Sequence, residues 1–423
     1  MTKKEIKLET SNRGQDFPMN HMKLLIIADA FPPTRTSAAV HIYDLASELI
    51  KQHHQITVII PSPLNHKSLV INNYDGVRLV SILTPKVKDV RYFRRALAEF
   101  ISPLIMYLRL RRSRIIEEEF DGVIWYSPTI FFGPLVSVLK KKYNCPTYLV
   151  LRDMFPDWAV DLGLMKKRLP YYFFKLVEYY QYKVADRIGV QAKGNFIYFE
   201  NKIFKKFRPK VELLWTWVRP SGPIVKCSIN LQKTHLAGRK IFVYAGNMGI
   251  AQDFDLIFNL IELYQDNLNI GFLFVGRGSE VARLRLFAKD KSLTNIIFYD
   301  EIDPVEIPEL YAQCDIGLVA LDPRHKSHNI PGKFLSYMSS GIPVLARLNA
   351  DNDLIKIVNE NNVGECYSGY DSLEFKSKVD GLLKKLETNH DFSNNCMKLA
   401  KNMFSAEKAA KQIVGSFSQN LIF

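Results

Sequence analysis

Ile241-Phe-Val-Tyr-Ala-Gly-Asn-Met-Gly249 is a wholly apolar run followed at once by a glycine-bearing loop. Five apolar residues stopped by glycine predict a strand buried on both faces. A helix is expected from about Phe254. A second strand follows over Gly271–Val275, then the loop Gly276-Arg-Gly278 and another helix. Ile296–Phe298, Ile316–Ala320 and Pro343–Ala346 continue the alternation. Strands and helices in turn build a parallel sheet with helices on its faces.

The same grammar has already run once. Lys23–Ala28 is a buried strand, Asp29–Ala39 a loop, Val40–Lys51 an amphipathic helix and Gln55–Pro61 a second strand. Further strands are expected at Gly122–Tyr126, Thr147–Leu151 and Arg187–Val190, with a long helix over Pro170–Ala185. The fold class is therefore α/β, with two consecutive doubly wound, Rossmann-like domains. We place the N-terminal domain at 22–218 and the C-terminal domain at 239–404. The segment Val218–Arg239, with Pro220, Gly222 and Pro223, is the expected linker. Residues 405–423 carry a last helix, about Ser405–Ser418, that could pack on either domain, including back on the N-terminal one. Residues 1–21 are polar and without periodicity, and we expect a disordered extension.

With 423 residues the chain is long enough for two full cores. Hydrophobic residues make up 47% and charged residues 24%, which excludes a disordered chain. A net charge of +14 favours anionic partners. Cys145, Cys227, Cys314, Cys366 and Cys396 are scattered and form no CxxC pair, so a reducing cytoplasm is the simplest compartment. No run approaches the roughly 18 apolar residues of a membrane span.

Ligands of parallel α/β sheets bind at the carboxyl ends of strands. Gly246, Gly249, Gly276, Gly278, Gly332 and Lys333 all fall there. Glycines let the backbone approach a nucleotide. Lys333, at a loop-to-helix start, can neutralise a phosphate under free N–H groups. The bland alternative is that the glycines only close tight βα turns. In the first half, Phe31–Ala39 is a small-residue loop whose N–H groups could face the same diphosphate from across a cleft; a plain helix N-cap is the commoner use of such residues. The Thr147–Leu151 strand runs straight into Arg152-Asp153, a base beside an acid at a strand's carboxyl end. Either could instead be a salt-bridged structural residue, which is how we read Asp157, and we read Trp158 as packing.

Residues 86–114 hold nine Lys and Arg against Asp89 and Glu99. Arg91, Arg94, Arg95, Arg109, Arg111 and Arg112 flank the apolar run Phe100–Leu108. That pattern suits a helix lying on an anionic membrane surface. An ordinary amphipathic helix with a solvated basic face is the alternative. No nucleic-acid-binding module is recognisable, so no nucleic-acid partner is expected. No metal is expected either. His325 and His328 lack acidic or cysteine company, and no DxD-type carboxylate pair is in place.

Leu151-Arg-Asp-Met-Phe-Pro-Asp-Trp-Ala-Val-Asp-Leu-Gly-Leu164, Tyr244-Ala-Gly-Asn-Met-Gly-Ile-Ala-Gln252 and Ile330-Pro-Gly-Lys-Phe-Leu-Ser-Tyr-Met338 resemble the family 4 glycosyltransferases of GT-B architecture. The resemblance runs over nearly the whole chain from Met22. Within that family it is to bacterial L-fucosamine (N-acetyl-L-fucosamine) transferases of O-antigen and capsule assembly. It implies two domains facing a central cleft, a UDP-sugar donor bound by the C-terminal one and an acceptor bound by the N-terminal one. It also implies retaining, metal-independent chemistry with no cofactor. Lys333 matches the lysine of the P-x-K donor motif, Gly246-Asn247 the first diphosphate-facing loop, and Gly276-Arg277 the loop near the base. Ser37 and Ala38 stand in the small-residue loop of the N-terminal domain. Many members carry Glu-x7-Glu in the donor motif, and those two positions here are His328 and Ser336, with Asn329 and Gly332 between them. The expected catalytic residues are Lys333, Asp153 and Arg152.

The reading is a peripheral enzyme on the cytoplasmic face of the inner membrane. It would move a sugar from UDP to an undecaprenyl-diphosphate-linked saccharide for O-antigen (lipopolysaccharide) or capsule. Two alternatives stay open: a non-hydrolysing UDP-sugar 2-epimerase, and a non-enzymatic membrane-surface protein.

Overall fold

The computed structural model describes residues 21–34, 36–87, 90–220, 225–324, 328–388 and 391–420. Apart from His21, the expected extension over 1–21 lies outside them.

The N-terminal sheet contains β1 (Lys23–Ile27), β2 (Gln55–Pro61), β3 (Leu69–Tyr74), β4 (Val77–Ile82), β5 (Gly122–Ser127), β6 (Thr147–Leu151), β7 (Arg187–Val190) and β8 (Val211–Leu213). Their order is β3-β4-β2-β1-β5-β6-β7-β8. All neighbours are parallel except the β3–β4 hairpin at the edge. Helices α1 (Ser37–Lys51), α2 (Tyr92–Leu110), α3 (Gly133–Tyr143), α4 (Asp157–Asp161) and α5 (Leu169–Val184) connect them. Leu25 and Ile27 of β1 enter one core while Leu24 and Ile26 enter the other, which is why this strand reads as an unbroken apolar run.

The C-terminal sheet contains β9 (Lys240–Ala245), β10 (Ile270–Val275), β11 (Ile296–Tyr299), β12 (Ile316–Ala320), β13 (Val344–Arg347) and β14 (Gly364–Tyr367). It is parallel throughout, in the order β11-β10-β9-β12-β13-β14. That order reverses between β9 and β12, so a crevice opens at their carboxyl ends. Around it lie α6 (Asp255–Leu263), α7 (Val281–Asp290), α8 (Ile307–Ala312), α9 (Gly332–Ser339), α10 (Asp353–Asn361), α11 (Ser372–Thr388) and α12 (Phe392–Met403). Ile241, Val243 and Ala245 of β9 face one core; Phe242 and Tyr244 face the other.

Helix α13 (Ala406–Asn420) crosses back and packs on α1. Its Ala410, Ile413 and Phe417 are fully buried in the N-terminal core, and side chains the size of Ile413 and Phe417 each stabilise by ~2 kcal/mol. The chain crosses between domains twice, and the crossings pair: the Val218 N–H donates to the Phe404 carbonyl at 2.9 Å. The expected linker is shorter than its Pro and Gly content suggests. Cys227, Ile229, Leu231 and Leu236 already belong to the C-terminal core, and residues 221–224 lie outside the described ones. Helix α1 starts at Ser37 rather than Val40, because Thr36 caps it by accepting from the Ala39 N–H at 3.2 Å.

Candidate active site at the domain cleft

The loops after β9 and β10 are fastened to each other. The Met248 N–H donates to the Arg277 carbonyl at 2.8 Å, and the Glu280 N–H to the Met248 carbonyl at 3.0 Å. A Cβ on Gly276 would fall 2.1 Å from the Gly246 carbonyl oxygen, and one on Gly278 the same distance from that of Met248. These two glycines are required by loop-to-loop contact. Gly246 (φ +136°) serves Lys333 instead, since a Cβ there would lie 2.8 Å from Lys333 Cε. At Gly332 a Cβ would meet nothing.

Lys333 sits in the first turn of α9, whose N-cap Pro331 offers no side-chain acceptor. Its ammonium lies 4.6 Å from the centroid of the Tyr244 ring. Among the described residues no carboxylate pairs with it. Burial pushes it down to about 8. A half-buried cation beside helix N–H groups is arranged for an anion. Exposed Asn247 stands at the rim, its carbonyl accepting from the Tyr244 hydroxyl at 2.7 Å. Arg277 points outward and pairs with Glu301 at 3.1 Å. The Ser336 hydroxyl is spent within α9 on the Gly332 carbonyl, at 3.3 Å.

Three contacts cross the cleft. Asn329 Nδ2 donates to Asp153 Oδ1 at 2.7 Å. The His328 ring rests against Gly194, where a Cβ would fall 2.1 Å from Nδ1. Asp353, in the first turn of α10, accepts from the Gly194 N–H at 2.6 Å and stands 3.7 Å from His328 Nδ1. Residues His325, Lys326 and Ser327 of this loop lie outside the described ones.

On the N-terminal side, Arg152 Nη1 donates to the Tyr126 hydroxyl at 2.8 Å. The Tyr126 oxygen holds Arg152 above its ordinary value, and burial pushes Tyr126 itself up to about 12. Behind them lies His41, which the sequence reading missed. Its Nδ1 is 3.2 Å from the Tyr126 hydroxyl, its Nε2 accepts from the Trp217 N–H at 3.3 Å, and its ring stacks on Trp217 at 3.8 Å. Burial, then Arg152, holds His41 well below its usual range, so the ring is neutral. A lone histidine inside an amphipathic helix gives no local signal of this.

Ser37 is exposed and Ala38 buried at the start of α1. Asp157 accepts from Lys175 at 2.7 Å and from Tyr171 at 2.8 Å, tying α4 to α5. Sequence reasoning also missed Ser127 at the end of β5, and Gln191 and Asn195 just past β7. All three are buried, and Ser127 Oγ, Gln191 Nε2, Asn195 Nδ2 and Asn329 Oδ1 have no hydrogen-bond partner among the described residues. The strand register places Ser127, Leu151 and Val190 abreast, so these groups share one edge with Arg152 and Asp153.

In the basic tract, Arg91, Arg94, Arg111 and Arg112 are exposed. Arg95 pairs with Glu99 at 2.8 Å, and Arg109 turns inward to the Leu83 carbonyl, so both are partly spent on structure. Lys88 and Asp89 lie outside the described residues. No helix among the described residues is long and apolar enough to cross a membrane.

Residues 229–399 match the model of the family described as glycosyl transferases group 1. The chain is 20% identical to WbjE of Pseudomonas aeruginosa, named a probable glycosyltransferase, over 81% of this chain and 84% of that one. It is 22% identical to WcaI of Escherichia coli K12, named as a candidate colanic acid biosynthesis glycosyl transferase, over 76% and 82%. Among solved structures it resembles Anabaena HepE, crystallised with UDP and glucose, at a TM-score of 0.64, 14% identity and coverage of 94% and 100%. Two facing Rossmann-like domains give the chain a GT-B fold whose residues 229–399 match the group 1 glycosyltransferase model, and the enzyme is a glycosyltransferase.

Proposed function

We propose that the enzyme moves a sugar from a UDP-sugar to an undecaprenyl-diphosphate-linked saccharide, with retention of anomeric configuration and without a metal ion or other cofactor. The carrying observation is Lys333, seated against Gly246 at the crevice beside the uncapped start of α9, with no carboxylate among the described residues paired to it. In the reaction the bond from the anomeric carbon to the β-phosphate oxygen breaks, and the acceptor hydroxyl oxygen takes that carbon. The hydroxyl proton leaves with the departing UDP. The charge that develops on UDP is stabilised by the Lys333 ammonium and the α9 N–H groups. Gly246 and Asn247 shape the diphosphate side, and Ser37 and Ala38 approach from the N-terminal domain. Arg152 and Asp153 face the acceptor. The unspent polar atoms of Ser127, Gln191 and Asn195 suit its hydroxyl groups.

The resemblance in residues 151–164, 244–252 and 330–338 supports N-acetyl-L-fucosamine as the sugar. HepE's complex with UDP and WcaI's link to colanic acid support a nucleotide donor and a surface polysaccharide. The family match favours transfer over epimerisation or a non-enzymatic role. A lipid acceptor places the enzyme on the cytoplasmic face of the inner membrane, with the basic tract toward the lipid.

The test is thermal-shift titration with UDP, GDP and ADP, with and without EDTA, on the wild type and Lys333→Ala. A shift with UDP alone that survives EDTA and is lost in Lys333→Ala supports the reading. No shift with any nucleotide removes the donor site from this crevice.

A further inference from the structure

We propose that α2 and α5 together form one docking face for an anionic lipid bilayer, with their apolar side chains entering its interfacial zone. The proposal rests on the lipid-linked acceptor argued above, and adds a second helix that the basic tract does not contain.

On α2, Leu97, Phe100, Leu104 and Leu108 recur every three or four residues and are 46–58% exposed, while Ala98, Ser102, Met106 and Leu110 on the opposite side are buried. On α5, Leu169, Tyr172, Phe173, Leu176 and Tyr180 follow the same spacing and are exposed, Leu176 by 67%. A helix on a solvated surface presents polar residues there. The two stripes are one patch: the Phe100 and Phe173 rings are 5.7 Å apart, and Phe131 backs Phe100 at 6.0 Å. Apolar surface continuous across two helices marks an interaction site.

The charges choose the occupant. Exposed Arg91 and Arg94 stand at one end of α2, and Arg111 and Arg112 at the other. Lys166, Lys167 and Arg168 lead into α5. None of these seven pairs with a carboxylate among the described residues. Unneutralised cations framing an apolar stripe fit anionic headgroups over acyl chains. The placement also serves the cleft. The Arg152-Asp153 loop runs through α4 to Lys166–Arg168 and α5, and Lys175–Asp157 at 2.7 Å holds α4 on α5. A lipid carrier lying along this face would have its diphosphate-linked sugar near Asp153.

The test is co-sedimentation of the full chain with phosphatidylcholine vesicles, with or without half phosphatidylglycerol. The variants are Leu104→Glu with Leu176→Glu, and Arg94→Glu with Arg111→Glu and Arg112→Glu. The wild type should pellet with the anionic vesicles and not with phosphatidylcholine alone. Each variant should bind at least tenfold more weakly while keeping the wild-type melting temperature and UDP shift. If the stripe variant keeps its melting temperature and binds like the wild type, the face is wrong. If light scattering shows a dimer that the stripe variant splits, a second copy covers the face and the proposal is overturned. Lost vesicle binding by the wild type with an intact UDP shift overturns docking alone; intact docking with no nucleotide response overturns the donor reading alone.

Discussion

Lys333 occupies the space that any side chain on Gly246 would need, with its Cε 2.8 Å from that missing Cβ. The two residues are a single device at the carboxyl end of β9. Gly246→Ala both strains a backbone at φ +136° and displaces the cation. We expect kcat/KM to fall about 100-fold, the scale of one lost charge-stabilising donor. The UDP thermal shift should weaken in parallel. A variant with normal turnover would mean that Lys333 works from another position.

The state of Lys333 sets a pH limit. Burial lowers it to about 8, so the free enzyme loses the cation as pH rises through 8. The kcat/KM profile should therefore fall on its alkaline side near that value. A bound diphosphate favours the ammonium, so the limb in kcat should lie at higher pH. Lys333→Arg keeps its charge throughout and should lack the limb, whatever its overall rate. A wild-type profile flat to pH 9.5 would assign the charge stabilisation elsewhere.

How much of this could be read from residue order follows from where the signal sits. Strands buried on both faces, such as β6 and β9, are continuous apolar runs and are legible. Edge strand β3 mixes Asn72 and Asn73 with apolar residues, and β14 has four residues including Glu365, so periodicity is too short or too polar. The β3–β4 hairpin did carry a signal, Asp75-Gly76 with both residues at positive φ. Lys333 and its glycines are legible because loop and helix start are contiguous. Asp153 and Asn329 each stand in a legible motif, yet their contact spans 176 residues and no local pattern encodes it. His41, Ser127, Gln191 and Asn195 matter only through neighbours from other strands.

Gly194 is one of the points where the domains touch. It is not held at positive φ, so Gly194→Ala leaves the local backbone unstrained. Its new methyl would meet His328 at 2.1 Å and prise the cleft open. We expect kcat to fall at least tenfold with the UDP shift unchanged, because closure and donor binding are separate steps. Small-angle scattering should show a larger radius of gyration. An unchanged kcat would make the contact incidental to turnover.

Neutral His41 joins the site to the hinge through Tyr126 and Trp217, and this predicts an acid sensitivity. Its folded value lies well below 6.5, so the unfolded chain binds the extra proton first. The stability it contributes is complete above pH 6.5 and is lost as pH falls toward the folded value. Asp44, pushed up to about 6 by burial against the pull of Arg219, acts in the opposite sense: its contribution is present below its ordinary 3.8 and lost as pH rises through 6. The two overlap between pH 4 and 6, so the informative quantity is the difference between wild type and His41→Gln. At pH 7.5 the variant should be less stable by about 2 kcal/mol, having lost the stack on Trp217 and two buried hydrogen bonds. On titration to pH 5 the gap in melting temperature should narrow, because only the wild type must expel a proton to fold. A gap that stays constant would show that His41 accepts the proton in the folded state, and that its place between Arg152 and the hinge is held by packing rather than by neutrality.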